Sequence, residues 1–91
     1  MKYFVYLLES KKDRQFYIGQ TNDIASRLQK HNHGEVKSTA QRAPFSLLGY
    51  VEVASRKDAL ILEKNLKLHS NKKLKFIRKF KPDFNWNNTP R

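Results

Sequence analysis

YFVYLLESKKDRQFYIGQ, residues 3–20, is the stretch whose reading decides the fold. Tyr3 to Glu9 runs through aromatic, β-branched and leucine residues without a break, the pattern of a buried strand. The charged group Lys11-Lys12-Asp13 turns the chain, and Gln15 to Gln20 is the partner strand. Tyr6 and Tyr17 sit among apolar neighbours in these strands, so a buried hydroxyl at either place needs a hydrogen-bond partner. The ordinary reading is a core tyrosine with one backbone bond. Gly19 lies two residues after Tyr17 and so on the same face, and its missing side chain leaves room beside the phenol for a ligand or another backbone.

Outward from this pair, Asn22 or Asp23 can cap a helix at about 23 to 33, with Ile24 and Leu28 one turn apart and Gly34 as the stop. Residues 35–43 lack apolar periodicity and read as a polar loop ended by Pro44, with Lys37, Thr39 and Arg42 available to contact phosphate. Phe45 to Ala54 is a third strand in which Gly49 marks a bulge. Ser55 and Asp58 resemble a capping box opening a helix from Arg56 to about His69, after which Ser70 caps a further basic helix. The order β-β-α-β-α-α predicts an α+β fold, a small three-stranded, mainly antiparallel sheet flanked by helices. Residues 1–80 form one domain on this reading, and 81–91 an irregular tail partly pinned by Phe84 and Trp86.

The chain of 91 residues, 38% apolar, supports one modest core. It has no cysteine, which excludes disulfide scaffolds, Cys-ligated zinc, Fe–S clusters and thiol nucleophiles. No signal peptide or membrane span is recognisable, so a soluble, cytoplasmic protein is expected. Nineteen Lys and Arg against eight Asp and Glu leave a formal charge of +11, which points to a polyanionic partner. Between Glu63 and Asp83 no acid interrupts Lys64, Lys67, Lys72, Lys73, Lys75, Arg78, Lys79 and Lys81. A solvated helix face explains such a run, but nucleic acid neutralises it, and DNA and RNA do so alike. An acidic membrane surface is the weaker option, since the large apolar residues are too few and too scattered. The sequence specifies no oligomeric state, and a protein partner for targeting is compatible with it.

More telling are polar residues that periodicity places on apolar faces. Ile24, Arg27, Leu28 and His31 share one helical stripe, and Ala59, Leu62, Glu63 and Leu66 share another. A buried unpaired guanidinium or carboxylate costs several kcal/mol, so each must be paired, bound to a cation or open to a cleft. A direct Arg27 to Glu63 salt bridge is the plain structural solution. Two phenols, an arginine, a histidine and one carboxylate converging on a cleft is the functional one. His31 and His33 do not form a zinc pair, because residues two apart on a helix point away from each other.

In type and order these residues resemble the GIY-YIG nuclease family. Phe4-Val5-Tyr6 and Tyr17-Ile18-Gly19 stand as the two half-motifs, followed by Asn22-Asp23, Arg27-Leu28, His31-Asn32 and the helix Ala59-Leu60-Ile61-Leu62-Glu63-Lys64. The likeness spans about residues 3 to 68 and is nearest to short standalone relatives of the catalytic domain of excinuclease C, a component of nucleotide excision repair. It implies an endonuclease that hydrolyses DNA phosphodiesters with one divalent ion, Mg²⁺ or Mn²⁺, held by Glu63. Tyr17, assisted by Tyr6 through water, would accept a proton from the attacking water; Arg27 would stabilise charge on the phosphate, and His31 would stand near the scissile group. One carboxylate suffices for Mg²⁺ when water and phosphate oxygens fill the other positions. The chain departs from the pattern at Phe4, which replaces a glycine, and at Gln20, where the repair enzymes carry a lysine. It also lacks a clear equivalent of their asparagine downstream of the glutamate.

With Lys37, Thr39, Arg42, Lys64, Lys67, Lys72 and Lys73 as the nucleic-acid contacts and no appended recognition domain, cutting directed by DNA structure rather than sequence is expected, with a role in repair or recombination. The competing readings are a nucleic-acid-binding module with a vestigial site and a basic ribosome- or protein-associated factor. Glu63 separates them, since a binding module has no use for a lone acid on an apolar stripe.

Overall fold

In a computed structural model describing residues 2–85, β1 (Tyr3–Ser10) pairs on both sides, antiparallel to β2 (Phe16–Thr21) and to β3 (Phe45–Val53). The sheet order β2-β1-β3 puts the unbroken apolar run at the centre, where neither face meets solvent. Alternation along β1 then divides the interior in two. Val5 and Leu7 enter one core with Ile18, Ala59, Leu66 and Ile77, while Tyr6 and Leu8 enter another with Phe45, Ile24 and Leu28. Helix α1 (Ile24–Asn32) therefore covers one face, and α2 (Arg56–Leu68) with α3 (Ser70–Phe80) the other. The expected α+β architecture and element order are those observed.

The helix starts follow their capping chemistry. Asp23 accepts from the Ser26 amide and Ser55 from the Asp58 amide, each at 3.1 Å. Gly34, at φ +72°, takes the left-handed conformation that ends α1. Ser70 departs from expectation: it is the first residue of α3, and no side chain caps that helix. His69, in extended conformation, closes α2 and opens α3, with its carbonyl accepting from the Lys73 amide.

Residues 35–43 also depart from a plain polar loop. Val36 and Thr39 are buried, and Ala40–Arg42 forms one 3-10 turn. Ser10 Oγ donates to the Arg42 carbonyl at 2.6 Å, the Lys11 amide to Pro44 at 2.9 Å, and Arg42 Nε to Asp13 at 3.1 Å. The segment is thus stitched to the β1–β2 turn, and an irregular lid that buries single residues leaves no periodic signal.

The start of the C-terminal segment docks as well. Phe84 is buried edge-on against Phe16 with ring centroids 4.8 Å apart, Arg78 Nε donates to its carbonyl at 2.8 Å, and Lys81 donates to Glu9 at 2.9 Å. Trp86 lies outside the described residues. No helix among the described residues is long and apolar enough to cross a membrane.

Gly49 pairs with Leu7 beside a bulge, since Leu8 pairs with Leu47 and leaves Leu48 as the extra residue. The Phe80 ring of α3 packs flat against the bare Gly49 Cα, where a Cβ would collide with it. Gly49→Ala should therefore cost about 1–3 kcal/mol through displacement of Phe80, read as a lower urea midpoint at unchanged slope.

Candidate active site

Tyr6 stands at the middle of β1, opposite Gly19 of β2. A Cβ at Gly19 would collide with the Tyr6 hydroxyl and lie 2.6 Å from its Cζ, so the phenol ring crosses the strand only because residue 19 is glycine. The room expected beside Tyr17 is thus filled by Tyr6 itself. The Tyr6 hydroxyl lies 2.8 Å from His31 Nε2, and His31 Nδ1 lies 2.8 Å from the Thr39 hydroxyl. Tyr6 is 2% exposed and His31 and Thr39 are fully buried.

This burial corrects two expectations. His31 does not face solvent; both ring nitrogens are engaged in the interior, and its ring packs against Tyr17 as well as Tyr6. Thr39 is not a phosphate contact, because its side chain points inward to His31 and the Val36 carbonyl. Burial first, and the Arg27 guanidinium second, hold the His31 imidazolium down to about 4. Burial likewise pushes the Tyr6 phenol up to about 12, with the nearby Arg27 guanidinium opposing it.

Tyr17, on the same face as Gly19, is the more open phenol. Its ring centroid lies 5.0 Å from that of His31 and 6.3 Å from that of Tyr6. Arg27, on α1, stands close enough to Tyr6 and, more weakly, Tyr17 for their interaction to raise its pKa. Among the described residues, Arg27 Nε is the buried side-chain nitrogen left without an acceptor. Arg27 lines an open polar cleft of about 300 Å³ together with Tyr3, Gln20, Thr21, Asn22 and Arg56, while its Nε atom is itself buried.

The direct Arg27 to Glu63 ion pair does not form. Glu63, whose side chain is 19% exposed, accepts instead from Lys67 one turn further on, at 3.1 Å. Its carboxylate is near enough for its charge to raise the Tyr6 pKa, and the Lys67 ammonium stands 5.2 Å above the Tyr17 ring. Glu63 is a hard oxygen donor with access to solvent, which fits one Mg²⁺ or Mn²⁺ whose remaining positions are taken by water and phosphate. Among the described residues no three His, Cys, Asp or Glu gather to form a larger metal cluster.

Of the basic residues, Lys37, Lys64, Lys67 and Lys72 are exposed and Lys73 is half-buried. Burial first, then the charges of Arg42 and Lys67, lower the Lys73 pKa, and of these cations Lys67 stands over the Tyr17 ring. Arg42 is also structural, bonded to Asp13 and to the Phe16 carbonyl. Lys81 is paired with Glu9, so the acid-free run is not wholly uncompensated. Arg56 is a cleft residue that sequence reasoning missed. Its signal was electrostatic: a cation in the first turn of a helix opposes the helix dipole and calls for another purpose.

A family model described as the GIY-YIG catalytic domain matches residues 2–76. The chain belongs to the GIY-YIG family. It is 31% identical over 86 residues to the UvrABC system protein C of Methanosphaera stadtmanae, a match covering 89% of this chain but only 13% of that protein. It is 36% identical over 74 residues to the UPF0213 protein BH0048 of Halalkalibacterium halodurans, covering 80% of this chain and 78% of the other. The solution NMR structure of BH0048 from Bacillus halodurans superimposes with a TM-score of 0.53 at 34% identity, over 87% of this chain and 84% of that one. The GIY-YIG half-motifs are thus the central strand pair, and membership supports a nuclease role for the chain.

The buried GIY-YIG histidine makes stability depend on pH. The unfolded chain protonates His31 near 6.5, the folded protein only near 4. Stability is therefore full above pH 6.5 and falls as the pH drops from there towards 4, by up to about 3 kcal/mol. Urea denaturation from pH 7 to 4.5 should show this loss in the wild type and a flatter profile in His31→Gln.

Proposed function

We propose that this GIY-YIG protein is a metal-dependent endonuclease that hydrolyses DNA phosphodiesters. The observation that carries the reading is Arg27: a guanidinium close to two phenols that lines an open polar cleft. A phosphate oxygen is the acceptor such a group fits, and a donor fixed in advance stabilises charge as it develops there. Arg56, across the cleft, adds a second cation where Gln20 stands in place of a lysine.

Tyr17 is the proton acceptor for the attacking water. Tyr6 is unsuited to that task, being enclosed and holding its own proton to about pH 12. Tyr6 instead anchors Arg27, and His31 anchors Tyr6. Glu63 would hold Mg²⁺ or Mn²⁺, which supplies Lewis-acid polarisation of the phosphate and a more acidic bound water. Lys67 must leave Glu63 when the ion binds, and its long, half-exposed side chain permits that. Lys37, Lys64, Lys67, Lys72 and Lys73 bind the backbone. Contacts of this kind carry no sequence information, which supports cutting directed by DNA structure, as in repair or recombination.

The Glu63–Lys67 pair also favours a second reading, a nucleic-acid-binding module whose carboxylate is permanently occupied. Incubation of the purified protein with nicked, branched and plain duplex DNA, and with RNA, in Mg²⁺ or Mn²⁺ decides between them. Cleavage is expected in the wild type and reduced by about 10²–10³ in Glu63→Gln, Tyr17→Phe and Arg27→Ala. Equal cleavage by all four proteins overturns the assigned site, and binding without cleavage by the wild type favours the module. DNA affinity without metal should fall steeply with added salt, and more gently in a Lys64→Ala/Lys72→Ala variant. A salt-independent affinity would remove the nucleic-acid reading altogether.

A further inference from the structure

We infer that Thr39 is a positioning residue that fixes the tautomer of His31 and thereby turns the Tyr6 hydroxyl hydrogen away from the cleft. The inference rests on the hydrolytic reading above for its catalytic consequence, but not for its structural content.

The directions of the hydrogen bonds follow from donor and acceptor capacity. Arg27 only donates, and its guanidinium stands near enough to Tyr6 to interact with it electrostatically, so the phenol turns its lone pairs to that cation. The Tyr6 hydrogen must therefore find an acceptor elsewhere, and His31 Nε2 stands 2.8 Å away. That contact requires Nε2 to be bare and the ring proton to sit on Nδ1. Nδ1–H in turn needs an acceptor, which is the Thr39 oxygen at 2.8 Å. Thr39 completes the chain by donating its own hydrogen to the Val36 carbonyl at 3.3 Å. Each donor in the sequence Tyr6, His31, Thr39 then has an acceptor. The opposite orientation would have Nε2–H donating to Tyr6, pull the Thr39 hydrogen from the Val36 carbonyl to Nδ1, and turn the buried phenol hydrogen towards the Arg27 cation.

The consequence concerns Arg27. With its hydrogen held inward, Tyr6 presents only lone pairs to the cleft side, and these seat the guanidinium. A freely rotating hydroxyl, or one turned outward, would repel the guanidinium hydrogens and let the arginine shift from the position where a phosphate oxygen meets it. Thr39 touches no substrate; it acts through His31 and Tyr6.

Long-range ¹H–¹⁵N NMR of the histidine rings at pH 7 tests this on the full chain. His31 should be neutral with the proton on Nδ1, and Thr39→Val, which keeps the shape and removes the acceptor, should move the ring towards the Nε2–H form. Thr39→Ser should restore the wild-type spectrum. In cleavage assays Thr39→Val should lower kcat by about tenfold to a hundredfold at little changed KM, with Thr39→Ser close to wild type. An Nε2–H or cationic His31 in the wild type overturns the inference, and so does a folded Thr39→Val variant with an unchanged tautomer. The wild-type spectrum decides the point even if that variant does not fold. A protein with the Nδ1–H ring that cleaves no DNA overturns the nuclease reading while supporting the assigned role of Thr39.

Discussion

The hydrogen bond between Tyr6 and His31 is the constraint around which this small fold is arranged. It joins the central strand to α1 at a place where neither group meets water, and it exists only because Gly19 lets the phenol cross β2. In a solvent-free interior such a bond is costly to break, since each partner would be left unsatisfied. Arg27, one turn before His31 on α1, is therefore placed by the core itself, and the cleft it lines has the packed interior behind it.

β1 separates two tasks. Its odd-numbered residues Val5 and Leu7 face α2 and α3 and contribute apolar burial, as in any small α+β domain. Its even-numbered Tyr6 faces α1 and carries polar chemistry, with Leu8 sealing the deeper end of that face. One strand thus serves as both keystone and scaffold, which makes its register doubly constrained: a slip by one residue would exchange the two faces.

Much of this was legible in the sequence. The strand pair, α1 and α2 with their caps, and the inward stripe carrying Arg27 and His31 followed from periodicity and cap chemistry, because each is a local property of a few neighbouring residues. The same periodicity set Tyr17 and Glu63 among apolar neighbours, and the family resemblance supplied the roles expected of them. What escaped was decided by contacts between distant segments. Thr39 looked like a surface phosphate ligand because its loop has no pattern, yet His31, eight residues earlier, draws it inside. Glu63 looked like a mate for Arg27, but a lysine on its own helix lies closer at hand. Arg56 was hidden by its place at a helix start, where the cap residue Ser55 carries the stronger local signal.

The clasp between Glu9 and Lys81 spans 72 residues of chain. It means that β1 leaves the ribosome long before the residue that closes it. The nascent chain carries a long apolar strand without its final cover until α3 and the segment through Phe84 have been synthesised. Until that segment is made, the abundant positive charge around the strand opposes association between unfinished chains.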